Sequence, residues 1–258
     1  MRILLVNDDG ILAGGLAALR EAVADLGEVT VVAPDSPQSA AGRSITLNGP
    51  IVCQRVNVGG QFWGTGVGGR PADCVKLAIR ELMDAPPELV LSGINAGANV
   101  GVNIFYSGTV AAAAEGALFG VPSVAFSLAR TPGDPMTAYG QAARYCRWVL
   151  DGLLAQPIQP GELVNVNIPP LDKRGPRGVK VVPQSTAAIT ESYHRLPGAE
   201  GQFEFRLGDH FEHGPQETET DVTAIEQGYI SVTPLKSDLT DRLRLRPLKR
   251  LKWGKPPK

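Results

Sequence analysis

The sequence predicts an α/β protein: a doubly wound, mostly parallel sheet followed by a hairpin-rich C-terminal extension. Three observations carry this expectation. Residues 2–6 (RILLV) and 28–33 (EVTVVA) are short apolar runs of the kind buried parallel strands show. Between them Leu16, Leu19, Val23 and Leu26 fall at helical spacing, so the chain begins with a β-α-β unit. After Pro169–Pro170 the texture changes to more charge, weaker helical periodicity and short alternating runs such as FEFRL.

The elements follow in order. The first helix stops at Gly27 and the second strand closes at Pro34. Residues 35–50 form a polar loop, and 51–69 read as short strands broken by Gly59, Gly60, Gly64 and Gly66. Pro71 opens a helix carrying Val75, Leu77, Ile79 and Leu82. Residues 88–91 are a third buried strand that ends in Ser92–Gly93–Ile94–Asn95, followed by a loop with Gly97 and Gly101. Ser107–Gly108–Thr109 starts an alanine-rich helix that stops near Gly120. VPSVAFSL, a helix over 136–155 and LVNVNIP complete an α/β core over 1–170. Residues 171–258 are expected to supply hairpins, a short helix capped by Thr220–Asp221, a returning strand YISVTPL and a basic arm.

Composition narrows the function classes. With 43% hydrophobic and 20% charged residues, the 258-residue chain can bury a sizeable core, which excludes bulk disorder. Three cysteines at wide spacing, with no C-x-x-C, argue against a disulfide framework or a structural zinc site and fit a reducing, cytoplasmic setting. No run approaches the ~18 apolar residues of a membrane helix. The net charge of −1 conceals eight basic and no acidic residues from Arg242 onward. With Trp253 its only aromatic, that arm is expected to pack on another subunit rather than hold a stable nucleic-acid partner. Of the 30 glycines, 18 lie in residues 1–120, where the chemistry is concentrated.

Four segments fall at the C-terminal edge of the expected sheet, where open α/β folds bind ligands. Asn7–Asp8–Asp9–Gly10 follows the first strand. Adjacent strand side chains point to opposite faces, so Asp8 and Asp9 converge only if the chain is already turning, which Gly10 permits. A paired carboxylate site favours a hard divalent cation; alternatively the motif is a turn capping the next helix. Ser39, in the loop after the second strand, is placed to offer a hydroxyl. Asn95 and Asn99, in SGINAGANVG, supply neutral oxygens and amide donors. Ser107, Gly108 and Thr109 open a helix whose N-terminal N–H groups suit an anion, phosphate above all, though a plain Ser/Thr cap has the same appearance. His210 and His213 are a further conceivable metal pair, more simply read as solvated hairpin residues.

Taken together, MRILLVNDDG, VVAPDSPQSA, RPADCVKLAI, SGINAGANVG, YSGTVAAAAEG, VNVNIP and ETDVTAIEQGYISVTPL resemble the SurE (survival protein E) family of metal-dependent nucleotidases, in order over nearly the whole chain. The resemblance implies a Rossmann-like core with a β-hairpin extension and an exchanged C-terminal segment. It implies one divalent cation per subunit, Mg²⁺ or Mn²⁺, held at Asp8, Asp9, Ser39 and Asn95, and phosphate held at Asn99, Ser107, Gly108 and Thr109. It also implies dimers or tetramers formed through the C-terminal region, and hydrolysis of nucleoside 5′-monophosphates, with 3′-monophosphates as further candidates. The chain departs from the family pattern at Ser36, Pro37 and Ala40, where Arg or Asn and then Gln-Ser-Gly are frequent, and at Arg70, where Thr is frequent.

The chemistry expected is metal-assisted phosphomonoester hydrolysis, with Asp8 accepting the proton of the attacking water. Direct attack by Asp8, forming an aspartyl phosphate, is the competing route. A non-enzymatic alternative, a receiver-type or nucleotide-binding regulatory protein, requires a phospho-accepting Asp after the third strand or a G-x-G-x-x-G fingerprint. Asn95 stands at the first place, and the second is absent.

Overall fold

In the computed structural model, which describes residues 1–130, 138–156, 158–198, 201–208, 212–215 and 218–254, the chain winds a nine-stranded sheet with helices on both faces. The elements are β1 (Arg2–Val6), α1 (Gly14–Val23), β2 (Glu28–Pro34), β3 (Cys53–Val58), β4 (Gln61–Val67), α2 (Pro71–Leu77), β5 (Leu89–Ala96), α3 (Gly108–Leu118), β6 (Ser123–Leu128), α4 (Tyr139–Ala155) and β7 (Leu163–Ile168). Then come β8 (Val179–Val181), β9 (Ile189–Thr190), β10 (Tyr193–Leu196), β11 (Glu204–Leu207), β12 (Glu212–His213), α5 (Asp221–Glu226), β13 (Ile230–Leu235) and α6 (Arg242–Lys249). The sheet order is β3-β4-β2-β1-β5-β6-β7-β13-β8, with the strands from β4 to β7 in that order parallel, β3 antiparallel to β4, and β13 antiparallel to β7 but parallel to β8.

Alternation along the central strands builds two cores. Ile3 and Leu5 face α1 and α4 with Leu16, Leu19, Phe126 and Leu150, while Leu4 and Val6 face α2 with Val75 and Ala112. All are fully buried, which accounts for the unbroken apolar runs in the sequence. Chain direction across the sheet reverses between β1 and β5: β2 lies on one side of β1 and β5 on the other. The switch point of the sheet is therefore the gap between the ends of these two strands.

Several expectations are corrected. The third strand does not stop at Leu91: β5 runs on to Ala96, pairing with β6 through Asn95 and Ala96 after a register shift. Gly64 and Gly66 do not interrupt β4 but lie inside it. A Cβ at Gly64 would stand 2.6 Å from the Val31 carbonyl oxygen, so glycine there serves close strand approach. The helix expected over 136–155 is seen from Tyr139; residues 131–137 lie outside the described residues. The sheet also recruits the C-terminal third. The returning strand β13 pairs antiparallel with β7, and β8 adds beyond it. The hairpin expectation is realised as two small antiparallel ladders, β10 with β11 and β9 with β12.

Candidate active site

Asn7 fixes the turn after β1. Its side-chain amide donates to the Gly10 carbonyl at 3.0 Å and its Oδ1 accepts the Gly10 N–H at 3.2 Å, with Gly10 at φ +104°. The turn lets both aspartates serve one side of the sheet edge. Asp8 is almost wholly buried and accepts the Thr109 hydroxyl at 2.5 Å. Burial pushes its carboxyl up to about 6; the Thr109 hydroxyl pulls the other way, and the Asp9 charge adds to the rise. Asp9 accepts the Ala96 N–H at 3.2 Å, tying β1 to the end of β5. Its carboxyl is also raised by burial, against the Ala96 N–H and the positive charge of Arg130.

Gly108 explains how α3 comes so near. A Cβ on it would lie 2.7 Å from the Asp8 Cβ, 2.8 Å from Asp8 Oδ2 and 3.1 Å from Pro71 Cγ. Only glycine lets the helix N-terminus rest against this carboxylate. Ser107 caps the helix, its hydroxyl accepting the Val110 N–H at 3.1 Å. The cap reading of this motif thus holds for Ser107, and the Thr109 hydroxyl is directed at Asp8.

Asn95 donates its side-chain N–H to the Gly97 carbonyl at 2.9 Å. Because a carbonyl only accepts, this identifies the nitrogen and leaves Oδ1 as an acceptor. Ser39 lies on the loop after β2, which is moored by Gln38 N–H to the Asp8 carbonyl (2.8 Å) and by Gly42 N–H to the Tyr106 carbonyl (3.0 Å). The departing residues of that loop have structural consequences. Ala40 sits at φ +56°, a left-handed conformation that glycine adopts without strain. Arg70 reaches Gln38, while Asp73 accepts the Arg70 N–H at 2.9 Å and the Thr46 hydroxyl at 2.7 Å. Arg70 and Asp73 thus help hold the Ser39 loop.

A cleft of about 530 Å³ unites these segments; Asp8, Asp9, Ser39, Asn95, Asn99 and Ser107 line it, with Asn103 and Tyr106. Of the residues expected from sequence, six line this cleft; Gly108 and Thr109 are not among its lining residues and meet Asp8 instead. Sequence reasoning missed a further part of the lining, Glu191, Tyr193 and Leu207 from the C-terminal hairpin region. Tyr193 and Leu207 are partners across the β10/β11 ladder, and Glu191 precedes Tyr193 by two positions. Their alternation was visible, but nothing local in it indicates what a hairpin packs over.

Among the described residues there is no cluster of three or more His, Cys, Asp and Glu side chains. His210, and the side chain of His213, lie outside the described residues. What the cleft offers is two carboxylates, one of them nearly buried, with the Asn95 Oδ1 and the Ser39 hydroxyl. That all-oxygen set fits a hard divalent cation.

Fold and cleft together define a Rossmann-like α/β protein with an acidic, oxygen-lined cleft at the switch point of its sheet. The family model for survival protein SurE matches residues 3–191. The chain belongs to the SurE family. The 5′-nucleotidase SurE of Syntrophobacter fumaroxidans is 42% identical over 240 residues, 93% of this chain and 95% of that protein. The 5′-nucleotidase SurE of Rhodopirellula baltica is 44% identical over 242 residues, 93% and 94% of the two chains. The crystal structure of the SurE protein from Aquifex aeolicus superposes with a TM-score of 0.82 at 38% identity, covering 96% of this chain and 98% of that one. No helix among the described residues is long and apolar enough to cross a membrane.

Proposed function

We propose that this chain is a divalent-metal-dependent 5′-nucleotidase, converting a nucleoside 5′-monophosphate and water to nucleoside and phosphate. The observation that carries the reading is the meeting, in one cleft, of a paired aspartate and the N-terminus of α3, held together by the Thr109–Asp8 bond. Relatives named 5′-nucleotidase SurE, 42% and 44% identical over 93% of the chain, support it.

In this reading Asp8, Asp9, Ser39 and Asn95 hold one divalent cation, Mg²⁺ or Mn²⁺. Such an ion, when bound, supplies Lewis-acid polarisation of the phosphate and lowers the pKa of water. Asn99, Ser107 and the Gly108 N–H hold the phosphate oxygens at the helix N-terminus, where the helix dipole favours negative charge. Thr109 orients Asp8. The water oxygen forms the new bond to phosphorus as the bond to the ester oxygen breaks. The water proton passes to Asp8, and Asp8 gives it up to the leaving oxygen, so that the nucleoside departs as the alcohol and the carboxylate is restored. Tyr106, Tyr193 and Leu207 give the cleft a partly apolar wall that suits a nucleobase. Glu191, which would repel phosphate, suits the hydroxyls of the sugar.

The C-terminal arm is assigned to assembly of a dimer or tetramer, with its segment exchanged between subunits. Its helix α6 buries none of its residues within one chain, and Leu243 and Trp253 are 87% and 76% exposed. Removing residues from Arg242 onward should lower the mass in solution; an unchanged oligomer would refute this assignment. A cytoplasmic location and the lack of a stable nucleic-acid partner belong to the same reading.

The direct test is phosphate release from AMP with Mn²⁺ or Mg²⁺, abolished by EDTA. Purified protein that binds no divalent ion and leaves every nucleoside monophosphate intact would overturn the proposal.

A further inference from the structure

The segment from Asn95 to Ser107 carries much of the chemistry, yet its shape is set by side chains far along the chain. Asn167 grips the Asn99 peptide from both sides: its Oδ1 accepts the Asn99 N–H at 2.7 Å and its Nδ2 donates to the Asn99 carbonyl at 3.2 Å. Asn165 donates to the same carbonyl at 2.8 Å. Ser127 on β6 takes the Asn99 side-chain N–H at 2.8 Å. Two residues on, Gly101 is clamped likewise: its N–H donates to Asp221 at 2.9 Å and its carbonyl accepts from Gln184 at 2.9 Å.

The location of these groups is costly. Asn165, Asn167, Ser127 and Asp221 are fully buried, and the two asparagines share one face of a β7 strand otherwise made of Leu, Val and Ile. Aliphatic side chains are the stable choice there, because each buried amide must recover the hydrogen bonds it had in water. Asn165 does so incompletely, since its Oδ1 has no hydrogen-bond partner. The hydroxyls opposite the two asparagines on β13, Ser231 and Thr233, also lack one. The side-chain bonds given by this seam converge on one residue, Asn99.

We infer that Asn167, aided by Asn165 and Ser127, is a positioning residue that holds Asn99 in the orientation required for the phosphate. Gln184 and Asp221 extend the clamp along the loop, making the C-terminal third a structural part of the cleft. The inference rests on the nucleotidase reading only in taking phosphate as the group Asn99 meets. It predicts a separation that loss of fold would not produce. Among the described residues the side chains of Asp8, Asp9, Ser39 and Asn95 make no hydrogen bond to the seam side chains, and Asn95 meets Ser127 only as a backbone partner in the β5/β6 ladder, which neither substitution removes, so anion binding should suffer while metal binding does not.

The test compares wild type, Asn167→Ala and Ser127→Ala by calorimetric titration with Mn²⁺, then with inorganic phosphate on the Mn²⁺-loaded protein, beside kcat and KM for AMP. In both variants phosphate affinity and kcat/KM should fall tenfold or more, on the scale of the about 100-fold loss that a 1 Å misplacement can cause. The Mn²⁺ affinity should stay within about twofold of wild type. Phosphate affinity unchanged in both variants would overturn the inference, as would Mn²⁺ and phosphate affinity falling together. Ser127→Ala removes a single oxygen, so it keeps the test decisive should Asn167→Ala fail to fold. A wild type that binds phosphate with Mn²⁺ yet releases none from AMP would refute the nucleotidase reading, while the phosphate titration still decides the positioning role.

Discussion

Adding one methyl group at Gly108 tests the central contact of the cleft. In Gly108→Ala the new Cβ would stand 2.7 Å from the Asp8 Cβ, whereas ordinary contact begins near 3.4 Å. The helix N-terminus and the carboxylate must therefore separate by about 0.7 Å. Pro71, 3.1 Å away on another side, hinders sideways escape. Overpacking of this kind costs about 1–3 kcal/mol, while alanine in place of glycine in a helix returns up to about 1 kcal/mol. The net is a loss of about 0–3 kcal/mol, or a fall in Tm of at most about 12 °C for a domain of this size. The catalytic effect should be far larger. The displacement stretches the Thr109–Asp8 bond and shifts the helix terminus relative to the paired aspartates, and misplacements near 1 Å can cost about 100-fold. Thermal melts and steady-state hydrolysis of AMP with Mn²⁺ read the two effects separately. A folded Gly108→Ala protein with kcat/KM within twofold of wild type would show that the approach of α3 to Asp8 is incidental to the chemistry.

Other outcomes follow from the same geometry. Asp9→Asn removes one of the two charges offered to the cation, so Mn²⁺ affinity and AMP hydrolysis should both fall at least about tenfold with the melt little changed; a fully active variant would displace the site. Because the Asp8 carboxyl is raised to about 6 in the metal-free fold against 3.8 ordinarily, the folded state holds a proton there that the unfolded state has lost. That contribution to stability is complete below about 3.8 and is lost as pH rises through about 6. The cation competes with the same proton. The rise in Tm on adding Mn²⁺ should therefore be larger at pH 7.5 than at pH 5.5, and Asp8→Asn should flatten the difference; an equal rise at both pH values would contradict it. Ala40→Gly relieves a left-handed alanine costing about 1–2 kcal/mol, offset by about 0.5–1 kcal/mol of added chain entropy in the unfolded state. Its Tm should hold or rise by a few degrees, and a clear fall would show that the loop does not bear this strain. Tyr193→Ala should raise KM for AMP several-fold and leave ribose 5-phosphate hydrolysis unchanged; equal effects on both would remove the nucleobase from that wall.

The alternation of strands and helices is legible in the residues as far as Ile168, because periodicity and punctuation are local properties. Leu4 and Leu5 need no partner named in advance to be legible as a buried strand, nor Ser107 to be legible as a cap. The paired aspartates and the Gly10 turn were equally plain, since adjacency in the chain is adjacency in space. Which distant groups meet is set by packing and is not legible in the residue order. Thr109 spends its hydroxyl on Asp8, 101 positions away, and Asn99 is gripped by Asn165 and Asn167, 66 and 68 positions on. The sequence also read as ending its third strand at Leu91, whereas pairing with β6 carries β5 on to Ala96. It gave no sign that Glu191 and Tyr193 reach the cleft. Such contacts depend on how helices and hairpins pack across the sheet, and a buried asparagine looks in sequence like any other polar residue in a strand. Only the fold shows that Asn165 and Asn167 bond the backbone of Asn99.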